Sequence, residues 1–170
     1  MASASFAASL AFTLQSEGGW SDNPLDKGGA TMKGITFATF RQYNPGATVD
    51  DLRNISDGQV ADIYRRGYWN AVKGDDLPAG VDLSVFDMGV NAGPGRSIRL
   101  LQGAVGVTED GAIGPITLAA IAAADPQNLI GTLAASQQAY YERLPTFDTF
   151  GDGWTSRTAA RKAAALALTG

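Results

Sequence analysis

A glutamate closes the apolar stripe of the first helical stretch, and two glycines follow it at once, in Glu17-Gly18-Gly19-Trp20. Phe6, Leu10 and Leu14 recur at a spacing of four, with Ala7 and Ala11 beside them, which is the apolar face of a helix over residues 3–17. Glu17 stands three residues after Leu14 and seven after Leu10, so it continues that inward face. Two readings compete for it. A glutamate at a frayed helix end is ordinarily solvated. On an inward stripe, partial burial and the negative end of the helix dipole both disfavour the charged form and raise its pKa. A general acid working near neutral pH needs that shift.

The stretch after it, EGGWSDNPLDKGGATMKGIT, has no helical period. Residues 18–35 hold five glycines, at 18, 19, 28, 29 and 34, and one proline. A segment of that kind is a functional loop or a small irregular hairpin. The chain has neither cysteine nor histidine. That removes disulfides, Ser–His and Cys–His catalysis and the usual zinc ligands. Acid–base chemistry then falls to carboxylates, lysine or tyrosine, and neither a metal nor a cofactor is expected. Two carboxylates flanking a sugar linkage suffice to hydrolyse it, one protonating the leaving oxygen and the other activating water or attacking the anomeric carbon. Glu17 is the candidate acid. Asp22 and Asp26 are candidates for the second group, and a loop folding back over the helix end would bring Asp26 opposite Glu17. Gly28-Gly29 allows a sharp turn there, and the Thr31 hydroxyl can hold a water. Taken alone, the same residues describe an ordinary solvated loop.

The remaining chain reads as helices separated by short breaks, seven or eight in all. Thr36 caps a short helix, TFATFRQY, before the turn Asn44-Pro45-Gly46. Ser56 caps a helix over residues 57–70, with Val60, Ile63 and Tyr64 inward. Pro78 opens a strongly apolar helix broken at Asn91–Gly95, and residues 95–105 form the next. Pro115 starts an alanine-rich helix, and Asp125-Pro126 a longer one to about Leu144. Gly151 to Gly153 reads as a last loop before a helix from Trp154 to Leu168. The expected architecture is a single mainly α domain with a small irregular hairpin around residues 18–36. The weakest boundary, near 73–77, divides lobes 1–72 and 78–170. Net charge is −4, from 13 Lys plus Arg against 17 Asp plus Glu, which argues against a nucleic-acid binder. No run of 18 apolar residues suggests a membrane span. The N-terminus lacks a basic residue ahead of its apolar part and is read as mature structure rather than a signal peptide.

Several further residues are candidates on weaker grounds. Trp20, Tyr64, Tyr68 and Trp69 can stack on sugar rings, although aromatics at helical spacing are more often core. Asp87 and Asn91, one turn apart, either line a cleft floor or satisfy groups at a helix end. Asp110-Gly111 makes a plain turn before Pro115 or part of a wall-binding signature. Trp154 and Arg157 are read as pinning the final helix to the core.

Three motifs in order carry a resemblance over residues 8–157. EGGWSDNPLDKGGATMKGIT is similar to the signature of the glycoside hydrolase 108 muramidases, an EGGY-type motif followed by DPGGxTxxGIT. Residues 77–121 resemble the predicted peptidoglycan-binding region of that family, and LPTFDTFGDGWTSR fits its GW-x-x-R close. The resemblance implies that Glu17 is the catalytic acid. It also places Asp26, Gly28, Gly29, Thr31, Gly34, Ile35 and Thr36 on the loop motif, with Thr36 among the substrate contacts. Trp20 stands where tyrosine is common, and Lys27 replaces the motif's proline, which loosens the turn that holds Asp26. A more distant similarity to phage-type lysozymes implies a lysozyme-like α+β fold. The implied activity is hydrolysis of the β-1,4 bond between N-acetylmuramic acid and N-acetylglucosamine, by a monomeric phage or prophage endolysin whose partner is the peptidoglycan strand. Such a protein would be made in the host cytoplasm and reach the wall through a holin. The rivals are a glycan-binding module without turnover and a structural phage component.

Overall fold

The computed structural model describes residues 2–170. Among them are nine α-helices and one two-stranded antiparallel hairpin. Helix α1 (Ala2–Gln15) precedes the hairpin of β1 (Thr31–Met32) and β2 (Ile35–Thr36). Short helices α2 (Phe37–Tyr43), α3 (Val49–Arg53) and α4 (Asp57–Tyr64) follow. A π-helical turn, Arg65–Trp69, extends α4, and a 3₁₀ turn covers Gly74–Asp76. The rest is α5 (Val81–Ala92), α6 (Pro94–Val105), α7 (Pro115–Ala123), α8 (Pro126–Glu142) and α9 (Phe147–Leu168). The class is the expected one, mainly α and lysozyme-like α+β.

Side-chain caps fix four of the helix starts. Thr36 accepts the Thr39 N–H at 3.2 Å, and Asp125 accepts the Asn128 N–H at 2.8 Å with Pro126 at the first helical position. Ser56 and Gln59 form a reciprocal capping box on α4. Thr48 and Asp51 do the same for α3, a helix of five residues that is too short to show an apolar stripe.

Helix α5 is the centre of the molecule. Every residue from Val81 to Gly89 is buried, and α1, α6, α8 and α9 pack around it. The stretch is mostly apolar, and the polar side chains within it, Asp82, Ser84 and Asp87, are hydrogen-bonded inside the molecule. The Phe86 ring meets Phe6 and Trp69 edge-on at 6.0 and 5.5 Å, and each such buried side chain contributes about 1.5–3 kcal/mol. One apolar cluster runs from Phe6 to Ala165 and includes Val72 and Val81, on either side of the 73–77 boundary. The segments 1–72 and 78–170 therefore share a core.

Helix α4 stops at Tyr64 where 57–70 is expected, and α3 brings the α-helices among the described residues to nine rather than seven or eight. Two helix starts also differ from the sequence expectation. Helix α5 begins at Val81, because Gly80 takes a φ of 86° just before it. Helix α9 begins at Phe147 and runs straight through Gly151 and Gly153. Interior glycines cost about 0.5–1 kcal/mol each relative to alanine, but packing outweighs that here. A Cβ on Gly151 would stand 2.8 Å from the Phe147 ring. Trp154 stacks on Tyr141 of α8 at 5.0 Å and 20°. No helix among the described residues is long and apolar enough to cross a membrane.

Candidate active site

Glu17 lies just past α1 rather than in its last turn. The chain tightens after Gln15, with the Ser16 N–H on the Thr13 carbonyl at 3.1 Å and the Glu17 N–H on the Leu14 carbonyl at 3.2 Å. The side chain stays on the inward side of the helix end and is 22% exposed. The hairpin turn Lys33-Gly34 closes over it. Both turn residues have positive φ, 50° and 77°, as a two-residue I′ loop requires. A Cβ on Gly34 would stand 2.5 Å from Glu17 Oε2 and 2.6 Å from Tyr64 Oη, so glycine is what allows this approach. Tyr64, buried at the end of α4, donates its hydroxyl proton to the Lys33 carbonyl at 2.8 Å and fastens the turn.

An arginine reaches the same carboxylate from α9. Arg157 Nη1 lies 3.8 Å from Glu17 Oε1, beyond hydrogen-bond reach. Its Nε and Nη2 donate instead to Asp87, at 3.2 and 2.8 Å. Asp87 is fully buried on α5 and also accepts from Thr13 Oγ1 at 2.8 Å and Arg161 Nε at 2.7 Å. Arg161 is equally buried; its Nη1 donates to Gln137 Oε1 at 3.0 Å, and its Nη2 has no partner among the described residues.

Burial raises the Glu17 pKa; the Arg157 charge opposes the rise and the more distant Asp87 charge adds to it. The outcome is a carboxyl group that stays protonated to higher pH than a solvated glutamate, the state from which a general acid acts. Burial alone would push Asp87 upward as well, but the Arg157 hydrogen bonds and the Arg161 charge outweigh it and hold Asp87 below the usual carboxylate range. The phenols of Tyr64 and Tyr68 are both pushed up, by burial first and by the Glu17 charge second.

The other sequence candidates divide sharply. Asp26 is exposed, and its Oδ1 accepts the Gly28 N–H at 3.0 Å. The Asp26 N–H bonds Asn23 O and the Gly29 N–H bonds Asp26 O, so the loop is held by its own short turns although Lys27 replaces proline. Asp22 is exposed in the same loop. Thr31 is half-buried on β1, opposite Thr36 in the hairpin register and bridged on its other side to Ser21. The Thr36 hydroxyl is occupied in capping α2. Trp20 is half-buried, with the Arg53 guanidinium 4.5 Å from its ring centre. Tyr68 is half-buried, 5.6 Å from Tyr64, and remains on the Glu17 side.

Three candidates need correcting. Trp69 cannot stack on a sugar: its ring is fully buried against Phe6 and Phe86, and its Nε1–H donates to Asp75 at 2.7 Å. Asp87 does not line a cleft floor; it has no exposed surface and accepts hydrogen bonds from Thr13, Arg157 and Arg161. Asn91, one turn on, is exposed and donates to the Tyr141 hydroxyl, so the two do not share a floor. Arg157 does pin α9 to α5, as expected, and it also faces Glu17. Arg161 was missed. Arg157 and Arg161 sit four apart on an alanine-rich helix, and Asp87 sits in a mostly apolar one. Buried charges must be paired, so that combination was the available signal. No group of three or more acidic side chains that could hold a metal occurs among the described residues.

The family described as Glycosyl hydrolase 108 matches residues 10–93, and the region described as Predicted Peptidoglycan domain matches residues 96–159. The two matches meet at the junction of α5 and α6, not at 73–77. Glu17 and Asp87 fall in the first and Arg157 in the second, with Arg161 just past its end, so the charge cluster joins both. No match is found among curated proteins. A solved structure, "Structure of Brucella abortus SagA", is 40% identical, with a TM-score of 0.86 over 98% of this chain and 97% of that one. The motifs, the fold and these matches agree: the chain belongs to the glycosyl hydrolase 108 family and is a glycosidase of peptidoglycan.

Proposed function

We propose that the chain is an N-acetylmuramidase, hydrolysing the β-1,4 bond between N-acetylmuramic acid and N-acetylglucosamine with Glu17 as general acid. The observation that carries this reading is the partly buried Glu17 carboxyl group, raised in pKa and held between the Gly34 turn and Arg157. Asp26 is the base that activates water, with the Thr31 hydroxyl helping to hold that water. Asp26 is exposed to solvent, as such a base must be. Glu17 lies just past the end of α1 and Asp26 in a separate loop before β1, so the two are not on one rigid element. That arrangement, with water held by Thr31, suits an inverting site, in which the carboxylates stand about 6.5–9.5 Å apart, over a retaining one at about 5–5.5 Å. Asp22 is the alternative base. Tyr68 and Trp20 offer the aromatic surfaces for the glycan. The biological setting that suits this activity is a monomeric phage or prophage endolysin that meets the wall after release through a holin.

Zymography on purified walls, with mass spectrometry of the soluble products, tests the reading. The expected products carry N-acetylmuramic acid at the reducing end; N-acetylglucosamine at that end overturns the bond assignment. Glu17→Gln keeps shape but has no proton to donate, and general acid catalysis contributes about 10²–10⁴-fold. A folded Glu17→Gln variant with near-full activity removes Glu17 as the acid.

A further inference from the structure

We propose that Asp87 is a positioning residue for Glu17: by taking two of the three Arg157 nitrogens, it holds that guanidinium beside Glu17 and out of a direct ion pair with it. The proposal rests on the reading of Glu17 as the general acid. Two carboxylates compete for one guanidinium fork. Asp87 accepts two hydrogen bonds from it, whereas Glu17 is approached only by Nη1 at 3.8 Å. The outcome follows from burial. Asp87 has no exposed surface, and leaving a buried carboxylate unpaired is far more costly than leaving a partly solvated one so. Thr13 and Arg161 complete the hold on Asp87 from α1 and α9. Thr13 lies four residues before Glu17 on the same helix end, so one carboxylate fixes both the acid's helix and the cation facing it.

An acid paired directly with arginine would ionise early; an opposite charge at close range lowers a carboxyl group by about 1–3 units. The clamp prevents that closure. The other groups facing Glu17 do not supply a competing charge. Tyr64 on α4 and Tyr68 on the π turn have phenols pushed upward in pKa, so both stay neutral at working pH. The hairpin turn presents Gly34, while Lys33 Nζ points away to Asp57 at 2.8 Å.

Charge and position can be separated. Asp87→Asn removes the clamp and one negative charge together. The double variant Asp87→Asn/Arg161→Gln removes the clamp and leaves the net charge of the cluster unchanged. Thermal unfolding first establishes which variants fold. The Glu17 carboxyl carbon is then titrated by NMR, and activity on walls is measured against pH. In the double variant the Glu17 midpoint falls and the alkaline limb of activity moves to lower pH. A move of one unit is about a tenfold loss above the limb with the acid side retained. A midpoint that moves in Asp87→Asn but not in the double variant means that Asp87 acts by charge alone, and overturns the proposal. Should neither variant fold, Arg157→Gln decides: the midpoint rises if Arg157 is the cation being held off, and an unmoved midpoint overturns the proposal. The NMR midpoint does not depend on turnover, so a failed clamp is distinguishable from a failed catalytic assignment. The latter shows as lysis surviving Glu17→Gln.

Discussion

Gly34→Ala separates the backbone role of the hairpin turn from its contact with Glu17, the proposed acid. Gly34 has a φ of 77°, and an added Cβ would stand 2.5 Å from Glu17 Oε2 and 2.6 Å from Tyr64 Oη. Two effects follow. An alanine in the left-handed region costs about 1–2 kcal/mol, which for a chain of this size lowers Tm by roughly 2–8 °C. The contact adds a second effect, because the Glu17 carboxyl group and the Tyr64 hydroxyl must each give way by up to about 1 Å, and a misplacement of that size costs about 10²-fold in rate. Gly106→Ala is the matched control. Its φ is 73°, and nothing lies within 4 Å of its added Cβ. Both variants are measured by thermal unfolding and by turbidity loss of purified walls. The expected result is a similar fall in Tm for the two, with about a hundredfold loss of activity in Gly34→Ala and near-normal activity in Gly106→Ala. Equal activity in the two variants would refute the argument that the turn holds the acid.

Asp26→Asn should cut turnover strongly, because an amide cannot take a proton from water; if it is harmless and Asp22→Asn is not, the base is Asp22. Proton NMR of the first-formed sugar should show the α-anomer, and an initial β-anomer means retention and removes the water-activating role from Asp26. Trp69→Ala should destabilise by about 3–5 kcal/mol through loss of a buried ring. Tyr68→Ala should leave Tm nearly unchanged and raise KM; the reverse pattern would show that the two rings had been assigned to the wrong sides of the helix.

The parts of this protein that were legible in the sequence are those governed by local rules. The stripe Phe6–Leu10–Leu14 located α1 and put Glu17 on its inward side, because a helix repeats every few residues whatever it packs against. The capping residues Thr36, Ser56 and Asp125 marked their helices, since a cap is satisfied within one turn. The missing histidine and cysteine left acid–base chemistry to carboxylates, lysine or tyrosine. The tertiary structure decided what depends on distant partners. Trp69 and Tyr68 are neighbours in the chain, yet only packing against Phe6 and Phe86 turns the first into the core and leaves the second beside Glu17. Gly151 and Gly153 look like a break, yet the aromatic contact between α8 and α9 carries the helix through them. Asp87 meets Arg157 and Arg161 across separations of 70 and 74 residues. No local period reports such a pairing, because a buried charge finds its partner through the fold of the chain and not along it.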